Sequence, residues 1–389
     1  MAQSIQIILA SSFLFAFFYS CQAVPIVPTT SGKLRGTTVF NTTTNVYLGI
    51  PFALPPVDQL RFAAPRALNT PNIVRNATKF SSSCVQLFSF TPSPTGESED
   101  CLYLNVWTSP KSNDRSNQLK PVLVWIYGGG WNSGSASLPA NDLTAWASAH
   151  PEIVFVSINY RLNFFGYPDT PAIMPPDTNA GLRDQRLAVE WVSKNIVAFG
   201  GDPTHIVLGG QSAGSASISG YLYAYPFNSL IKGAILMSGQ APLQITPPPG
   251  GAALPGVPSS GPNPFPRIAE AVGCPLPGSN SNVTTHNFGE YVTQLDCVRR
   301  RNTTELTNAI TKLNIFGFSP IVDNQTVFTV PEYKSRGRAG KFARVALLTG
   351  TTDNEGDVFV LDRTNNTLNE TLSDLFTLSL FRCFDSWQS

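Results

Sequence analysis

Residues 206–214 read IVLGGQSAG, and this stretch decides the fold. Its first three residues are apolar and predict a short buried strand, while residues 215–222 after the motif are compatible with a helix. Gly210 and Gly214 stand two positions before and after Ser212, where bulk must be absent if strand and helix approach closely. Such a turn holds the serine in a strained backbone conformation with its hydroxyl exposed. The pattern therefore predicts that Ser212 is a nucleophile; the alternative is a plain turn.

Other short apolar runs alternate with helical patterns along the chain. They occupy residues 122–127, 153–158, 233–237 and 345–348. Residues 179–199 carry apolar side chains at helical spacing beside a long polar face. Strands that alternate with helices predict an α/β fold with a mainly parallel central sheet and helices on both faces. Residues 245–266 are rich in Pro and Gly and predict a long surface loop rather than a domain boundary.

A second glycine-rich motif, Gly128-Gly129-Gly130-Trp131, follows the strand predicted at residues 122–127. Backbone N–H groups can reach a substrate oxygen only where no side chain blocks the approach, and consecutive glycines provide that access. We expect the N–H groups of Gly129 and Gly130, together with that of Ala213, to stabilise the oxyanion of a tetrahedral intermediate. The alternative is a flexible loop at the end of a strand.

The composition excludes two broad classes of protein. The chain has 389 residues, of which 42% are hydrophobic and 13% are charged, so it can bury a large core and is not intrinsically disordered. Lys and Arg number 26 against 25 Asp and Glu, which leaves a net charge of +1. Such a balance supplies no overall basic field for a phosphate backbone, so nucleic acid is not an expected partner.

The N-terminus has the pattern of a secretory signal. Residues 7–19 form one apolar run, which is shorter than the ~20 residues that a membrane-spanning helix needs. Small residues follow and end at Ala23, so we expect cleavage there and a signal peptide at residues 1–23. The alternative is a buried strand or helix of the mature fold. No later run is long and apolar enough to predict a membrane span, and the expected location is extracellular.

Secretion has consequences for the cysteines and for glycosylation. The mature chain would keep five cysteines, an odd number, so at least one is unpaired. They are Cys84, Cys101, Cys274, Cys297 and Cys383. Seven Asn-x-Ser/Thr triplets predict N-glycosylation at several sites. Their asparagines are Asn41, Asn76, Asn282, Asn302, Asn324, Asn365 and Asn369.

Several longer motifs occur in a fixed order from about residue 32 to residue 355. They are YLGIPF at 47–52 with LRF at 60–62, EDCLYLNV at 99–106, YGGGW at 127–131, NYRL at 159–162, NAGLRDQR at 179–186 and FGGDP at 199–203. In these motifs the chain resembles the type-B carboxylesterase/lipase family, the cholinesterase-like branch of the α/β-hydrolases. The resemblance implies the α/β-hydrolase fold and a serine hydrolase that acts on small-molecule esters without a metal or an organic cofactor.

The resemblance also implies roles for single residues. Ser212 corresponds to the nucleophile that carries the acyl group, and GTTDNEG at residues 350–356 resembles the segment that supplies the triad acid, which makes Glu355 the candidate. Gln211 stands where many relatives have Glu, which removes a charge beside the acyl site and predicts an altered substrate preference.

Structural pairings follow from the same resemblance. The first two disulfides of the family fall on Cys84 with Cys101 and on Cys274 with Cys297, which leaves Cys383 unpaired. Two structural ion pairs of the family fall on Arg61 with Glu99, and on Arg161 with Asp184.

The general base of the triad is missing from its expected place. The family order is serine, acid and then histidine, but His150, His205 and His286 all precede Glu355. His205 lies on the approach to the strand before Ser212, so its side chain should lie far from the serine hydroxyl. We expect each histidine to be a surface or structural residue.

These observations predict a secreted serine carboxylic ester hydrolase whose C-terminal part is missing. The predicted organisation is a signal peptide at 1–23, an incomplete α/β-hydrolase domain at 24–371 and an atypical tail at 372–389 that contains no motif of the family. A truncated product is the simplest interpretation. The alternative functions are a catalytically inactive cholinesterase-like binding protein or a truncated, non-functional product. The sequence does not predict the oligomeric state.

Overall fold

A computed structural model describes residue 24 and the ranges 26–87, 92–110, 118–241, 264–277, 287–315 and 317–355, with strand residues 361–362 and 367–368. The predicted signal peptide and the predicted tail lie outside the described residues. The same holds for His286, Cys383 and three of the sequon asparagines, which are Asn282, Asn365 and Asn369. Most of the loop predicted at 245–266 is also outside them.

The described chain forms short strands and eight helices. Strands β1–β15 are Ile26–Thr29, Gly32–Arg35, Thr37–Thr38, Asn45–Pro51, Val74–Asn76, Ser83–Cys84, Glu97–Ser98, Tyr103–Thr108, Lys120–Ile126, Val154–Ile158, Gly201–Gln211, Gly233–Met237, Ala346–Gly350, Leu361–Asp362 and Thr367–Leu368. Helices α1–α8 are Thr144–Ala149, Asn163–Gly166, Ala180–Asn195, Ala213–Ala224, Phe265–Ala271, Phe288–Arg299, Thr303–Lys312 and Val330–Arg338. Single 3-10 turns occupy Asp58–Leu60, Pro139–Asn141 and Ile196–Phe199.

One eight-stranded sheet organises the fold, with the strand order β13-β12-β11-β9-β10-β8-β4-β3. The five strands from β13 to β10 are parallel, and β8, β4 and β3 continue the sheet in antiparallel pairing. The predicted α/β class is confirmed, and the strands expected at residues 122–127, 153–158, 233–237 and 345–348 are all present in the parallel part. The antiparallel part was not predicted, because β4 and β8 were recognised only as motifs.

The centre of the sheet is buried, whereas its β13 edge is not. All five residues of β10 are buried, as expected for a strand covered on both faces. All five residues of β13 are exposed, and Leu348 keeps 64% of its accessible surface. None of the helices in the described ranges has the length and the apolar character to cross a membrane.

Two buried ion pairs join segments that are distant in sequence. The guanidinium of Arg161 donates to both carboxylate oxygens of Asp184, at 2.8 and 2.7 Å, and the side chains are 3% and 0% exposed. Arg61 makes the same forked contact with Glu99 and also donates to the Arg299 carbonyl at 2.9 Å, at the end of α6. The first pair fixes the segment after β10 to α3.

The structure also contains two disulfides. They join Cys84 to Cys101 and Cys274 to Cys297. The first closes a loop that runs from β6 to the start of β8, and the second ties the segment after α5 to α6. Loops closed in this way lose conformational freedom in the unfolded chain, which favours the folded state.

Replacing Arg161 by Leu should destabilise the protein strongly. The substitution leaves Asp184 buried without its partner, and losses of about 3–5 kcal/mol are typical of that situation. The measurement is the free energy of unfolding in urea. The double variant Arg161→Leu/Asp184→Leu should lose less than the single variant. Asp296→Asn, which breaks the exposed contact with Arg299 at 3.1 Å, is the control and should cost less than about 1 kcal/mol. If Arg161→Leu lowered the free energy of unfolding no more than Asp296→Asn does, the prediction would be contradicted.

Candidate active site

Ser212 occupies a strained turn between β11 and α4. Its backbone has φ 54° and ψ −123°, a region that costs a non-glycine residue about 1–3 kcal/mol. The turn is held from two sides, since the Ser212 N–H donates to the Met237 carbonyl at 2.8 Å and the Ala216 N–H donates to the Ser212 carbonyl at 2.9 Å. A strand-to-helix turn with this geometry is the arrangement that the sequence motif predicts.

The glycines around Ser212 are required by close backbone approach. A Cβ on Gly214 would lie 2.1 Å from the Ile126 carbonyl oxygen, and a Cβ on Gly210 would lie 2.8 Å from the Gly214 carbonyl carbon. The same crowding occurs at Gly239, where a Cβ would lie 2.2 Å from the Ser212 carbonyl oxygen. Sequence reasoning missed Gly239, because the only signal was a Ser-Gly pair after β12.

The glycine loop, defined as Gly128 to Gly130, passes directly beside the serine. A Cβ on Gly128 would lie 3.0 Å from Ser212 Cβ and 2.7 Å from Gln211 Oε1, so the side chain of Gln211 lies against the loop. Gly129 and Gly130 have φ angles of 109° and 62°. Among the described residues, the N–H groups of Gly129, Gly130 and Ala213 donate to no protein acceptor. No protein group among the described residues therefore competes with a ligand for these donors.

Trp131 fastens the glycine loop to the helix that begins at the serine. Its indole Nε1 donates to Ser217 Oγ at 2.9 Å, and that hydroxyl donates to the Ala213 carbonyl at 2.7 Å. The Trp131 carbonyl accepts from the Asn163 N–H at 2.7 Å. The loop and α4 are thus held together by hydrogen bonds that the sequence motif did not indicate.

Asn132 fastens the loop to a distant segment. Its Nδ2 donates to the Phe318 carbonyl at 2.7 Å, and the Phe318 N–H donates to Asn132 Oδ1 at 3.0 Å. The Phe318 ring packs on that of Phe164, with centroids 5.8 Å apart. Asn132 is 3% exposed. A buried amide needs hydrogen-bond partners, but the sequence does not reveal which segment supplies them.

The Cys84–Cys101 loop contacts the same region. The Gly134 N–H donates to Gln86 Oε1 at 2.7 Å, and Asn163 Nδ2 donates to the Val85 carbonyl at 2.7 Å. Both Gln86 and Asn163 are buried. The disulfide-closed loop therefore supports the chain that follows the glycine loop.

Tyr127, the residue before the glycine loop, stacks on Tyr160 in the core. The rings of Tyr127 and Tyr160 are 4.7 Å apart, and the Tyr160 hydroxyl donates to the Tyr127 carbonyl at 2.9 Å. Burial raises the pKa of both phenols well above the usual value. Both side chains stay neutral and act as fixed supports rather than as proton carriers.

Glu355 lies at the same edge of the sheet as the serine. It follows β13, whose Gly350 pairs with Met237 and accepts a hydrogen bond from the Ser238 N–H at 2.9 Å. Its Oε1 accepts from the Thr352 N–H at 2.8 Å. The carboxylate thus caps its own turn, and no histidine among the described residues contacts it.

The two described histidines lie at the opposite edge. His205 precedes Ile206, whose register partner is Val122, and it stands seven positions before Ser212, which corresponds to about 23 Å in an extended strand. His150 is exposed, and its Nδ1 lies 3.3 Å from Glu152 Oε1. The pKa of Glu152 is lowered, chiefly by a hydrogen bond from its own N–H and to a smaller degree by His150. Neither histidine reaches the serine.

A metal centre is not formed by the described side chains. Within the ranges given above, no three His, Cys, Asp or Glu residues gather as ligands for an ion.

The chain is similar to known esterases over most of its length. Residues 23–384 match the model of the carboxylesterase family. A chlorogenic acid esterase from Aspergillus niger is 36% identical over 344 residues, which cover 84% of this chain and 61% of the relative. An acetylcholinesterase from Bungarus fasciatus is 33% identical over 360 residues, which cover 86% of this chain and 54% of the relative. The chain therefore spans little more than half the length of these relatives.

Replacing Gly214 by Ala should disrupt the turn at Ser212. The added Cβ meets backbone atoms that cannot move aside, and such overpacking costs about 1–3 kcal/mol or more. Gly337→Ala in α8 is the matched control, since its nearest neighbour is the Tyr223 hydroxyl at 3.7 Å and Ala is favoured over Gly in helices by up to about 1 kcal/mol. Urea unfolding of both variants measures the difference. Equal stability of the two variants would contradict the packing argument.

Proposed function

Because the chain belongs to the carboxylesterase family, we propose that it acts as a secreted serine hydrolase of small carboxylic esters, through an acyl-enzyme on Ser212. One arrangement carries the proposal. The strained Ser212 stands in contact with Gly128, and the N–H groups of Gly129, Gly130 and Ala213, which follow these two residues in the chain, have no protein acceptor among the described residues. This combination suits a reaction in which negative charge develops on a carbonyl oxygen beside a serine.

The reaction follows from the positions of these groups. The Ser212 hydroxyl attacks the ester carbonyl carbon and passes its proton to a general base, which returns the proton to the departing alcohol; the described histidines do not supply this base. The oxygen that becomes negative accepts hydrogen bonds from Gly129, Gly130 and Ala213. Loss of one such donor typically costs about 3–4 kcal/mol of the barrier. Collapse of the intermediate expels the alcohol, and water then releases the acid. Glu355 is our candidate for the acid that orients the general base.

A second candidate function is a cholinesterase-like binding protein without catalysis. The observation that favours it is the position of His150 and His205, at the sheet edge opposite Ser212. A serine hydroxyl without a base is a weak nucleophile. The two functions differ in one measurable property, the reactivity of Ser212.

Secretion is part of the proposal. Two disulfides suit an oxidising compartment. The sequon asparagines within the described ranges are exposed, as glycan attachment requires. They are Asn41, Asn76, Asn302 and Asn324.

A fluorophosphonate probe, which reacts with activated serines, should label the purified chain. Labelling and hydrolysis of a neutral aryl acetate should both disappear in Ser212→Ala, since the same hydroxyl performs both reactions. His150→Gln and His205→Gln should label like the unmodified chain, because both side chains are distant from the serine. A chain that unfolds cooperatively but resists the probe would contradict the hydrolase and favour the binding protein.

We also expect a preference for uncharged esters over choline esters. Gln211 is exposed and lies beside Ser212, and it places a neutral amide where a carboxylate would attract a cation. A charge at this distance is worth about 1–4 kcal/mol, so kcat/KM for a neutral acetate ester should exceed that for acetylcholine by at least about tenfold. Gln211→Glu should lower the ratio of kcat/KM for the neutral ester to kcat/KM for acetylcholine. Gln211→Met is the uncharged control and should leave this ratio high. An unchanged ratio in Gln211→Glu would contradict this role.

A further inference from the structure

Positive charge is concentrated in and after helix α8. Residues 334–344 contain five of the 26 Lys and Arg residues of the chain, although the whole chain carries a net charge of only +1. They are Lys334, Arg336, Arg338, Lys341 and Arg344. Glu332 is the sole carboxylate residue of α8 itself.

The exposed residues of α8 lie on one face of the helix. Their spacing of three and four positions brings them together along that face, and they line an open groove of about 500 Å³. They are Pro331, Lys334, Ser335 and Arg338, together with Ala339, the residue after the helix. The opposite face is fixed to the core through Tyr333, whose ring packs edge-on against that of Tyr223 at 5.0 Å.

Arg336 does not belong to the exposed set. Its Nε donates to Glu332 Oε1 at 3.1 Å, and its guanidinium lies 3.8 Å from the centre of the Phe328 ring. The charge of Arg336 is thus paired with that of Glu332, and its guanidinium packs on the protein surface. The exposed positive side chains of this region are the other four.

Three of the remaining cations have no acidic neighbour among the described residues. Within the described part of the chain, no carboxylate lies within 4.0 Å of Arg338, Lys341 or Arg344. The Arg344 guanidinium folds over the turn after α8, 3.0 Å from where a Cβ on Gly340 would lie. We call Lys334, Arg338, Lys341 and Arg344 the cationic face. The helix dipole stabilises cations near the C-terminal end of a helix. This effect does not explain Lys334, which lies in the middle of α8.

The cationic face lies far from the serine. Arg344 immediately precedes β13, in which Ala346 pairs with Gly233 and Gly350 pairs with Met237 beside the Ser212 turn. The length of β13 therefore separates the two places, which is at least about 13 Å. A polymer bound at α8 would leave the serine accessible.

We propose that the cationic face binds a linear anionic polysaccharide. Lys334 and Arg338 repeat along the helix at about 6 Å, and Lys341 and Arg344 extend the row, which suits a polymer with repeated sulfate or carboxylate groups. Guanidinium groups bind such oxyanions in a forked geometry. Ser335 and Ala339, which lie between the cations, are small. Phe342 lies between Lys341 and Arg344, but its ring packs against that of Tyr223, with centroids 6.0 Å apart. Among the described residues 331–344, no large apolar or aromatic side chain is in the exposed class, which disfavours a bilayer or a stacked base as the partner.

The test is the binding of fluorescein-labelled heparin, measured by fluorescence anisotropy at about 50 mM salt. The variant K334Q/R338Q/K341Q/R344Q should bind at least about tenfold more weakly, with a smaller dependence of log Kd on log salt, because fewer counterions are released. K33Q/R35Q/R66Q/K79Q removes four exposed cations elsewhere and is the charge-matched control, which should change Kd less than about threefold. Ser212→Ala should bind like the unmodified chain, so the result does not depend on the proposed hydrolase.

Several outcomes would overturn the proposal. The first is that the unmodified chain does not bind heparin. The second is that the affinity for heparin falls equally in the two quadruple variants. The third is that vesicles containing phosphatidylserine bind as tightly as heparin and depend on the same four cations. If the quadruple variant K334Q/R338Q/K341Q/R344Q no longer unfolds cooperatively, two double variants replace it. K334Q/R338Q tests the cations of the helix, and K341Q/R344Q tests those of the turn after it. Each double variant should show a part of the loss, and two unaffected doubles would refute the proposal.

Discussion

The close approach of α4 to the end of β9 is the constraint on which the site depends. At Gly214 the two elements are so near that even a methyl group would overlap the Ile126 carbonyl. This contact forces the chain to reverse at Ser212 with a positive φ. The glycine loop, which follows β9, passes beside this turn, where a Cβ on Gly128 would lie 3.0 Å from Ser212 Cβ. Packing in the core thus determines the geometry at the surface.

The parts of the fold that could be predicted are those in which local sequence and tertiary packing agree. The parallel strands are short apolar runs, and the glycines at positions 210 and 214 have one steric reason to be there. The antiparallel strand β8 could not be recognised by periodicity, because five of its six residues are buried and no alternation remains to be seen. Family motifs identified this region without revealing its secondary structure.

The supports of the candidate site could not be predicted, since they join residues that are far apart in the sequence. Asn132 and Phe318 are separated by 186 positions, and neither belongs to a motif that names the other. The balanced net charge was equally uninformative about α8, because an average over the chain hides where charges gather. A helix brings together residues three and four positions apart, and only the folded helix shows which of them face solvent.

The bonds of Trp131 and Asn132 have a consequence for any ligand of the glycine loop. The loop is held on one side by Ser217 and on the other by Phe318, so it is ordered before a ligand arrives. Ordering a flexible loop would consume part of the free energy of association. Here that entropy is lost during folding, and even a ligand with few contacting atoms meets a rigid set of donors. In the proposed reaction, such preorganisation would let the N–H groups of the loop stabilise charge on one oxygen atom without a further cost of ordering.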